Sequence, residues 1–360
     1  MAATISAVAV LGDDDLLCEI LLRLGFPTTL VRAAAVSRRW LRIASDRAFL
    51  RARHPPRLLG FYYHDYGLGR PYFVPISQAP ELAGAVRLAS SVNGKFIIRD
   101  SRDGCLLVSG FKGCNAVLDP LHPRRNVAFL PQPQYANLTA FFADDGGAGG
   151  VVSLSVFFPL GKTSVNVGIF QCGAWTFQQT AAIDVPGTAS VVGAHAPVQG
   201  KIYIMTNCGY ILQLDLASIS LSVIQLPEEV KTSNFKLSCG EHDSGFFLIQ
   251  GEGCLISIWR HEVDGDGTHH WAKVSDTFCV QEAFTRQEDV TILEADDNLE
   301  YVFLGLNQSK CLISLNLRSR TEIVHHEFTA NFIPFSNIKP LMMVWPPVFP
   351  AAKEENVLEE

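Results

Sequence analysis

Residues 200–216 read GKIYIMTNCGYILQLDL, an apolar run, a turn carrying Asn207 and Gly209, and a second apolar run that ends on Asp215 and Leu216. Branched and aromatic residues bounded by Asn and Gly mark two antiparallel strands joined by a tight turn. The plan recurs in GCLLVSGFKGCNAVLDP (104–120), GFFLIQGEGCLISIWR (245–260) and EYVFLGLNQSKCLISLNL (300–317). Landmarks at Leu118, Leu214, Ile258 and Leu315, with a fainter one at Ile169, are spaced by roughly 45–55 residues, the period of β-propeller blades. A β-sandwich also uses many short strands but needs no such period.

Working outward, strand signals fill the chain from Leu58: KFIIRD (95–100), VVSLSVFF (151–158) and VNVGIF (165–170) add to the repeats. RLLGFYY (57–63) and PYFVPI (71–76) at one end, and PLMMVWPP (340–347) at the other, can close the ring and remove exposed sheet edges. About six blades are expected, with room for a seventh.

Ahead of Leu58 the periodicity is helical. In LGDDDLLCEILLRLG (11–25), Leu16, Leu17, Ile20, Leu21 and Leu24 form one stripe, Asp13 or Asp14 can cap the first amides, and Gly25 followed by Phe26-Pro27 supplies a stop. TTLVRAAAVSRRWLRIASD (28–46) offers Thr28 or Thr29 as a cap and puts Val36, Trp40 and Ile43 or Ala44 on one side, with Ser37 able to start a further helix. Three helices in some forty residues make a small core that calls for outside support. The division is therefore a tail at 1–10, a three-helix unit at 11–50, a linker at 51–57, an all-β propeller-like domain at 58–347 and an acidic tail at 348–360.

Bulk properties fit a buried globular chain: 48% hydrophobic and 18% charged residues over 360 positions. The net charge of −7 is uneven, since residues 1–57 hold nine Arg against five acids, +4, which leaves −11 for the rest. A modest basic head in an acidic chain argues for a protein partner rather than nucleic acid. Nine Cys without a C-x-x-C pair suggest neither a disulfide framework nor a zinc site. MAATISAVAVLGDDD lacks a basic leader, and no apolar run reaches membrane length, so cytosol or nucleus is expected, where the sequons at Asn137 and Asn307 have no role.

Residues 11–63, LGDDDLLCEILLRLGFPTTLVRAAAVSRRWLRIASDRAFLRARHPPRLLGFYY, resemble the F-box of plant F-box proteins, whose motif runs roughly LPDDLLxEILxRLP, LLR, VCKRWR and SDPxFL. By position, Leu11, Leu16, Leu17, Glu19, Ile20, Leu21, Arg23 and Leu24 match its first helix; Leu30, Arg32, Val36, Ser37, Arg39, Trp40, Ser45, Asp46, Phe49 and Leu50 match the remainder. Gly12 and Gly25 stand where the motif has Pro, and Ser37 where it has Cys. The resemblance implies a substrate receptor of an SCF-type ubiquitin ligase. The F-box would dock a Skp-type adaptor, and through it a cullin, while the kelch-like β domain holds a target that the sequence does not identify. On that reading Leu11, Leu16, Leu17, Ile20, Leu21, Leu24, Leu30, Val36 and Trp40 contact the adaptor, and Arg38, Arg39 and Arg42 steer an acidic partner. Taken without the resemblance, the same apolar stripe reads as core and the same arginines as a solvated face.

No catalytic chemistry is expected, and no metal or cofactor. Aligning Asp264, Asp266 and Gly267 to a calcium loop places Lys273 where the closing Glu belongs, so a surface hairpin is the better reading. The adjacent pairs His269-His270 and His325-His326 point to opposite faces of a strand and cannot share a metal. The glycines of DDGGAGGVV (144–152) lack the Lys-Ser/Thr of a phosphate loop. A propeller enzyme or carbohydrate-binding module with an incidental helical leader is the alternative, and its sign would be an acidic or aromatic cluster at the propeller axis. Trp175, Trp259 and Trp271 are expected between blades, and the loops at 144–150 and 264–270 are candidates to meet a target.

Overall fold

A computed structural model describes residues 13–24, 27–46, 57–65, 69–76, 80–102, 104–110, 115–123, 128–130, 138–143, 151–157, 164–171, 174–184, 191–198, 200–230, 234–238, 246–265, 268–274, 277–280, 288–296, 299–306, 308–327 and 338–343. The chain divides into two compact units, residues 1–57 with 343–360, and residues 58–342.

The first unit is three helices: α1 (Asp14–Leu22), α2 (Pro27–Ala34) and α3 (Arg38–Ala44). Asp13 caps α1, its carboxylate accepting from the amides of Asp15 (2.9 Å) and Leu16 (3.2 Å), while Asp14 and Asp15 occupy the first turn, where the dipole favours acids. Ser37 caps α3 by accepting from the Trp40 amide at 3.2 Å. Pro27 differs from its reading as a stop: it is the first residue of α2, where its missing N–H costs nothing and its fixed φ suits the helix, so Thr28 and Thr29 lie inside the first turn rather than before it. Leu17, Leu21, Leu30, Ala34 and Ala44 form the core, with Leu24, Trp40 and Ile43 packed partly buried against it.

The second unit is built of antiparallel sheets, six among the described residues. Sheet 1 orders β2 (Arg70–Pro75), β1 (Arg57–Asp65) and β24 (Ile338–Met343), so the last strand pairs with the first and ties the two ends of the unit together. Pro71, Pro75 and Pro340 sit on β2 and β24, both edge strands, where a missing donor is tolerated. Sheet 2 runs β3 (Phe96–Arg102), β4 (Cys105–Gly110), β5 (Asn115–Leu118) and β6 (Ala128–Leu130). Sheet 3 runs β7 (Leu138–Ala143), β8 (Val151–Phe157), β9 (Asn166–Gln171) and β10 (Ala174–Gln179). Sheet 4 holds β11 (Val191–Val198), β12 (Lys201–Thr206), β13 (Tyr210–Asp215) and β14 (Ser220–Gln225). Sheet 5 holds β15 (Phe235–Ser238), β16 (Phe247–Glu252), β17 (Leu255–Val263) and β18 (His269–Lys273), with β19 (Phe278–Cys279) paired to β17. Sheet 6 is β20 (Val290–Ala295), β21 (Tyr301–Leu306), β22 (Cys311–Asn316) and β23 (Thr321–Glu327).

Each of the four repeated phrases supplies the two middle strands of a sheet: β4 and β5, β12 and β13, β16 and β17, β21 and β22. Middle strands covered on both faces read as continuous apolar runs, which is why these phrases stand out. Their closing Asp or Asn has a local task. Asp119, Asp215 and Asn316 each accept two amides from the residues two and three further on, at 2.9–3.2 Å, and so start the turn to the next strand. Gly209, at φ +79°, makes the turn between β12 and β13.

Neighbouring sheets meet through apolar clusters. Tyr203, Met205 and Ile224 of sheet 4 pack with Phe235, Phe246, Leu248 and Trp259 of sheet 5 and its lead-in. Trp271 joins them, its indole N–H donating to the Gln225 carbonyl at 2.7 Å, so Trp259 and Trp271 lie between sheets as expected; the Trp175 side chain lies outside the described residues. Asn234 stitches sheet 5 to sheet 6: its amide donates to the carbonyls of Gly251 (3.0 Å) and Val290 (2.7 Å), and its oxygen accepts from the Ile292 amide (2.7 Å). One helix within the β domain was not expected, α4 (Ala83–Ser90), held where the buried Tyr62 hydroxyl donates to the Ala89 carbonyl at 2.9 Å.

Candidate docking surface

The α1 stripe divides along its width. At about 100° per residue, Leu16 and Ile20 lie on one margin of the stripe and Leu17 and Leu21 on the other. Leu17 and Leu21 are 0% exposed, whereas Leu16 is 44% and Ile20 36% exposed. Leu30 is fully buried, Leu24 and Trp40 are half-buried, and Val36, just past α2, stands 65% exposed. Leu11 lies outside the described residues. The eight described apolar residues singled out by sequence thus divide by exposure, with Leu24 and Trp40 between the extremes. Leu17, Leu21 and Leu30 have no surface to offer and form the scaffold; Leu16, Ile20 and Val36 face outward, with Trp40 between. Val31, 41% exposed on α2, joins the outward group and was not singled out, because helical spacing puts it beside the buried Leu30 with no sign of which way it turns.

The three arginines also divide. Asp14 on α1 receives the Arg39 guanidinium at 2.5 Å and that of Arg42 at 2.9 Å, so two of the three tie α3 to α1. Arg38 is exposed. The acids of LGDDDLL serve as cap and clamp, Asp13 closing the helix and Asp14 holding its neighbour.

Of the loops proposed to meet a target, 144–150 lies outside the described residues. The other joins β17 to β18; residues 266 and 267 lie outside the described residues, and on either side of them the Asp264 amide donates to the Thr268 carbonyl at 3.0 Å. His269 and His270 lean to opposite faces there. His269 meets the buried His261, ring nitrogens 3.0 Å apart, while His270 lies 3.0 Å from Glu262 and 3.5 Å from Asp264. Burial, with the neighbouring His269, His270 and Lys201, pulls the His261 pKa down to about 4, so this ring is neutral.

The alternative reading asked for an acidic or aromatic cluster at the propeller axis. On the edge strands, Glu294 of β20 lies 3.1 Å from Lys339 of β24, with Lys236 of β15 and His195 of β11 in range. Burial raises the Glu294 carboxyl, but the pull of Lys339 and Lys236 outweighs it and leaves the group below its usual range. Glu294 is thus an ion-paired carboxylate held in its charged form rather than a neutral acid poised to give up a proton. Among the described residues no group of three or more His, Cys, Asp or Glu could hold a metal ion, and no helix is long and apolar enough to cross a membrane.

Comparisons agree with this division. Residues 14–54 match a family described as F-box-like, and residues 97–349 match one described as F-box protein AT5G49610-like, beta-propeller. No curated protein sequence matches the chain. Among solved structures it is similar to the WD40 domain of SCAP from fission yeast (10% identity, TM-score 0.33), covering 64% of this chain and 63% of that one, less than two thirds of its length. It is also similar to a chain of a nidogen/laminin complex (9% identity, TM-score 0.45), covering 78% of this chain and 98% of the other. Likenesses at these scores bear on neither partner nor activity. The helical head and the long β repeat, matched over most of the chain, place it in the family of F-box protein AT5G49610-like beta-propellers.

Proposed function

We propose that the protein is a non-catalytic substrate receptor of an SCF-type ubiquitin ligase, its F-box docking a Skp-type adaptor, and through it a cullin, while the β domain holds a target protein. The observation that carries this reading is the outward group on the helical unit: Leu16, Ile20, Val31 and Val36 remain between 36% and 65% exposed on a unit whose core is already complete. Apolar side chains left over after core formation favour a partner that buries them. Trp40, half-buried beside that core, is the anchor with both apolar and polar reach. The surplus of positive charge over residues 1–57, to which Arg38, Arg39 and Arg42 contribute, steers an acidic adaptor.

Function then follows from proximity. A target held on the β domain is kept at high effective concentration near the ubiquitin-conjugating enzyme carried by the rest of the ligase, and the chemistry belongs to those subunits. The deciding experiment is binding of the full-length protein to a purified Skp-type adaptor. A stable complex is expected; no binding, where a related F-box protein binds under the same conditions, sinks the proposal.

A further inference from the structure

We propose that Cys254 and Cys279 form a thiol–disulfide pair, a reversible oxidation site that staples the connection leaving sheet 5. The Cys279 thiol donates to the Cys254 sulfur at 2.8 Å, across 25 positions of sequence. Both are thiols and both are partly exposed, so a small oxidant reaches them. The backbones on either side are already paired: Leu255 faces Cys279, Ile256 faces Phe278, and the Val280 amide donates to the Cys254 carbonyl at 3.0 Å. A disulfide needs the two chains close and the sulfurs about 2.05 Å apart, and here the residues flanking both cysteines are fixed in register beforehand. Elsewhere, Cys208 and Cys311 place their sulfurs against the Asn207 side chain and the Ser309 carbonyl.

The oxidant class is a low-molecular-weight disulfide such as glutathione disulfide. One cysteine thiolate attacks a sulfur of that disulfide, forming a mixed disulfide and expelling one small thiol. The second thiolate attacks the protein-bound sulfur, closing the Cys254–Cys279 bond and expelling the other small thiol. Two protein thiols are oxidised, one small disulfide is reduced to two thiols, and the two protons leave on the products. The structural consequence is local. β19 is only two residues long, yet it carries the chain to Val280, 4% exposed and packed with Ile256, Val290 and Ile292. A bond from Cys279 to Cys254 holds that short strand on β17.

The test uses the full-length protein equilibrated with glutathione disulfide, alkylated under denaturing conditions and mapped without reduction. Cys239 shares a tryptic fragment with Cys254, so a second cleavage after Glu252 separates them. A linked pair is expected, joining the fragment that starts at Gly253 to the one that starts at Val274. Oxidation is also expected to raise Tm by about 5 °C, reversibly with dithiothreitol, and to leave Cys254→Ser and Cys279→Ser unshifted. Alkylation of both residues as separate thiols, a bond from either to Cys239, or glutathione retained on each overturns the proposal, and the wild-type map decides even if a variant fails to fold.

Discussion

Asp14 on α1 and Arg39 on α3 meet at 2.5 Å, and Arg42, one turn further along α3, reaches the second oxygen of the same carboxylate at 2.9 Å. The clamp joins the first and last helices of a unit with a small core. Its members are about one-third to seven-tenths exposed, so water and salt weaken it. Asp14→Ala is therefore expected to lower stability by less than about 1 kcal/mol, with the loss shrinking in high salt, as read from amide exchange of α1 at two ionic strengths. A loss that does not respond to salt would show that the charge of Asp14 does not carry its contribution.

Ile20 and Leu17 separate docking from folding. Ile20→Asp puts a charge on a side chain 36% exposed, so the unit is expected to stay folded while affinity for a Skp-type adaptor drops about 100-fold, near 3 kcal/mol. Leu17→Ala removes a side chain with no exposure and costs about 2–5 kcal/mol of stability, enough to melt α1. Adaptor titration beside hydrogen exchange of α1 tells the two apart. Undiminished binding by folded Ile20→Asp places the docking surface elsewhere.

The β repeat was legible because its phrases become middle strands, and a strand covered on both faces is largely apolar, as YILQLD in β13 shows with Tyr210, Ile211 and Leu214 fully buried. The orientation of α1 was not. The spacing of Leu16, Leu17, Ile20 and Leu21 marks a stripe about 140° wide, more than one face of a short helix can bury, and only the positions of α2 and α3 decide which margin is left outside. Asn234 and α4 were invisible for another reason: each occurs once, so no repeat marks it, and AGAVRLAS is too short and too small in its side chains to show a period. Pro27 serves equally as a stop and as a first helical residue, so the reading had no means to choose.

Asn234 is expected to matter well beyond its size. Asn234→Ala leaves the carbonyls of Gly251 and Val290 and the amide of Ile292 without these bonds at the seam of two sheets, at a cost of about 3 kcal/mol. Asn234→Asp keeps an acceptor for Ile292 but turns an anionic oxygen toward two carbonyls, and is expected to be the more damaging of the two near neutral pH. Urea midpoints of both variants check the order. Equal and small shifts would mean that the seam is held by apolar packing around Ile292 alone.

His261 gives the fold an acid limit. The ring is 3% exposed, stacked on Phe246 with centroids 4.5 Å apart and edge-on to Trp271 at 5.1 Å, in the layer between sheets 4 and 5. Burial and the nearby His269, His270 and Lys201 disfavour its charged form, moving the pKa from 6.5 to about 4. The sign follows from proton uptake. Between those values the unfolded chain binds a proton that the folded chain refuses, so the contribution is complete above pH 6.5, falls as pH drops toward 4, and is gone below it. The shift amounts to about 3 kcal/mol across that window. Carboxylates titrate in the same range, so the measurement is a difference: denaturant stability of the wild type against His261→Phe, which keeps a stacked ring but carries no proton. The wild type is expected to lose about 3 kcal/mol more than the variant between pH 7 and pH 4, and parallel stability curves would show that the buried ring accepts its proton without disturbing the layer.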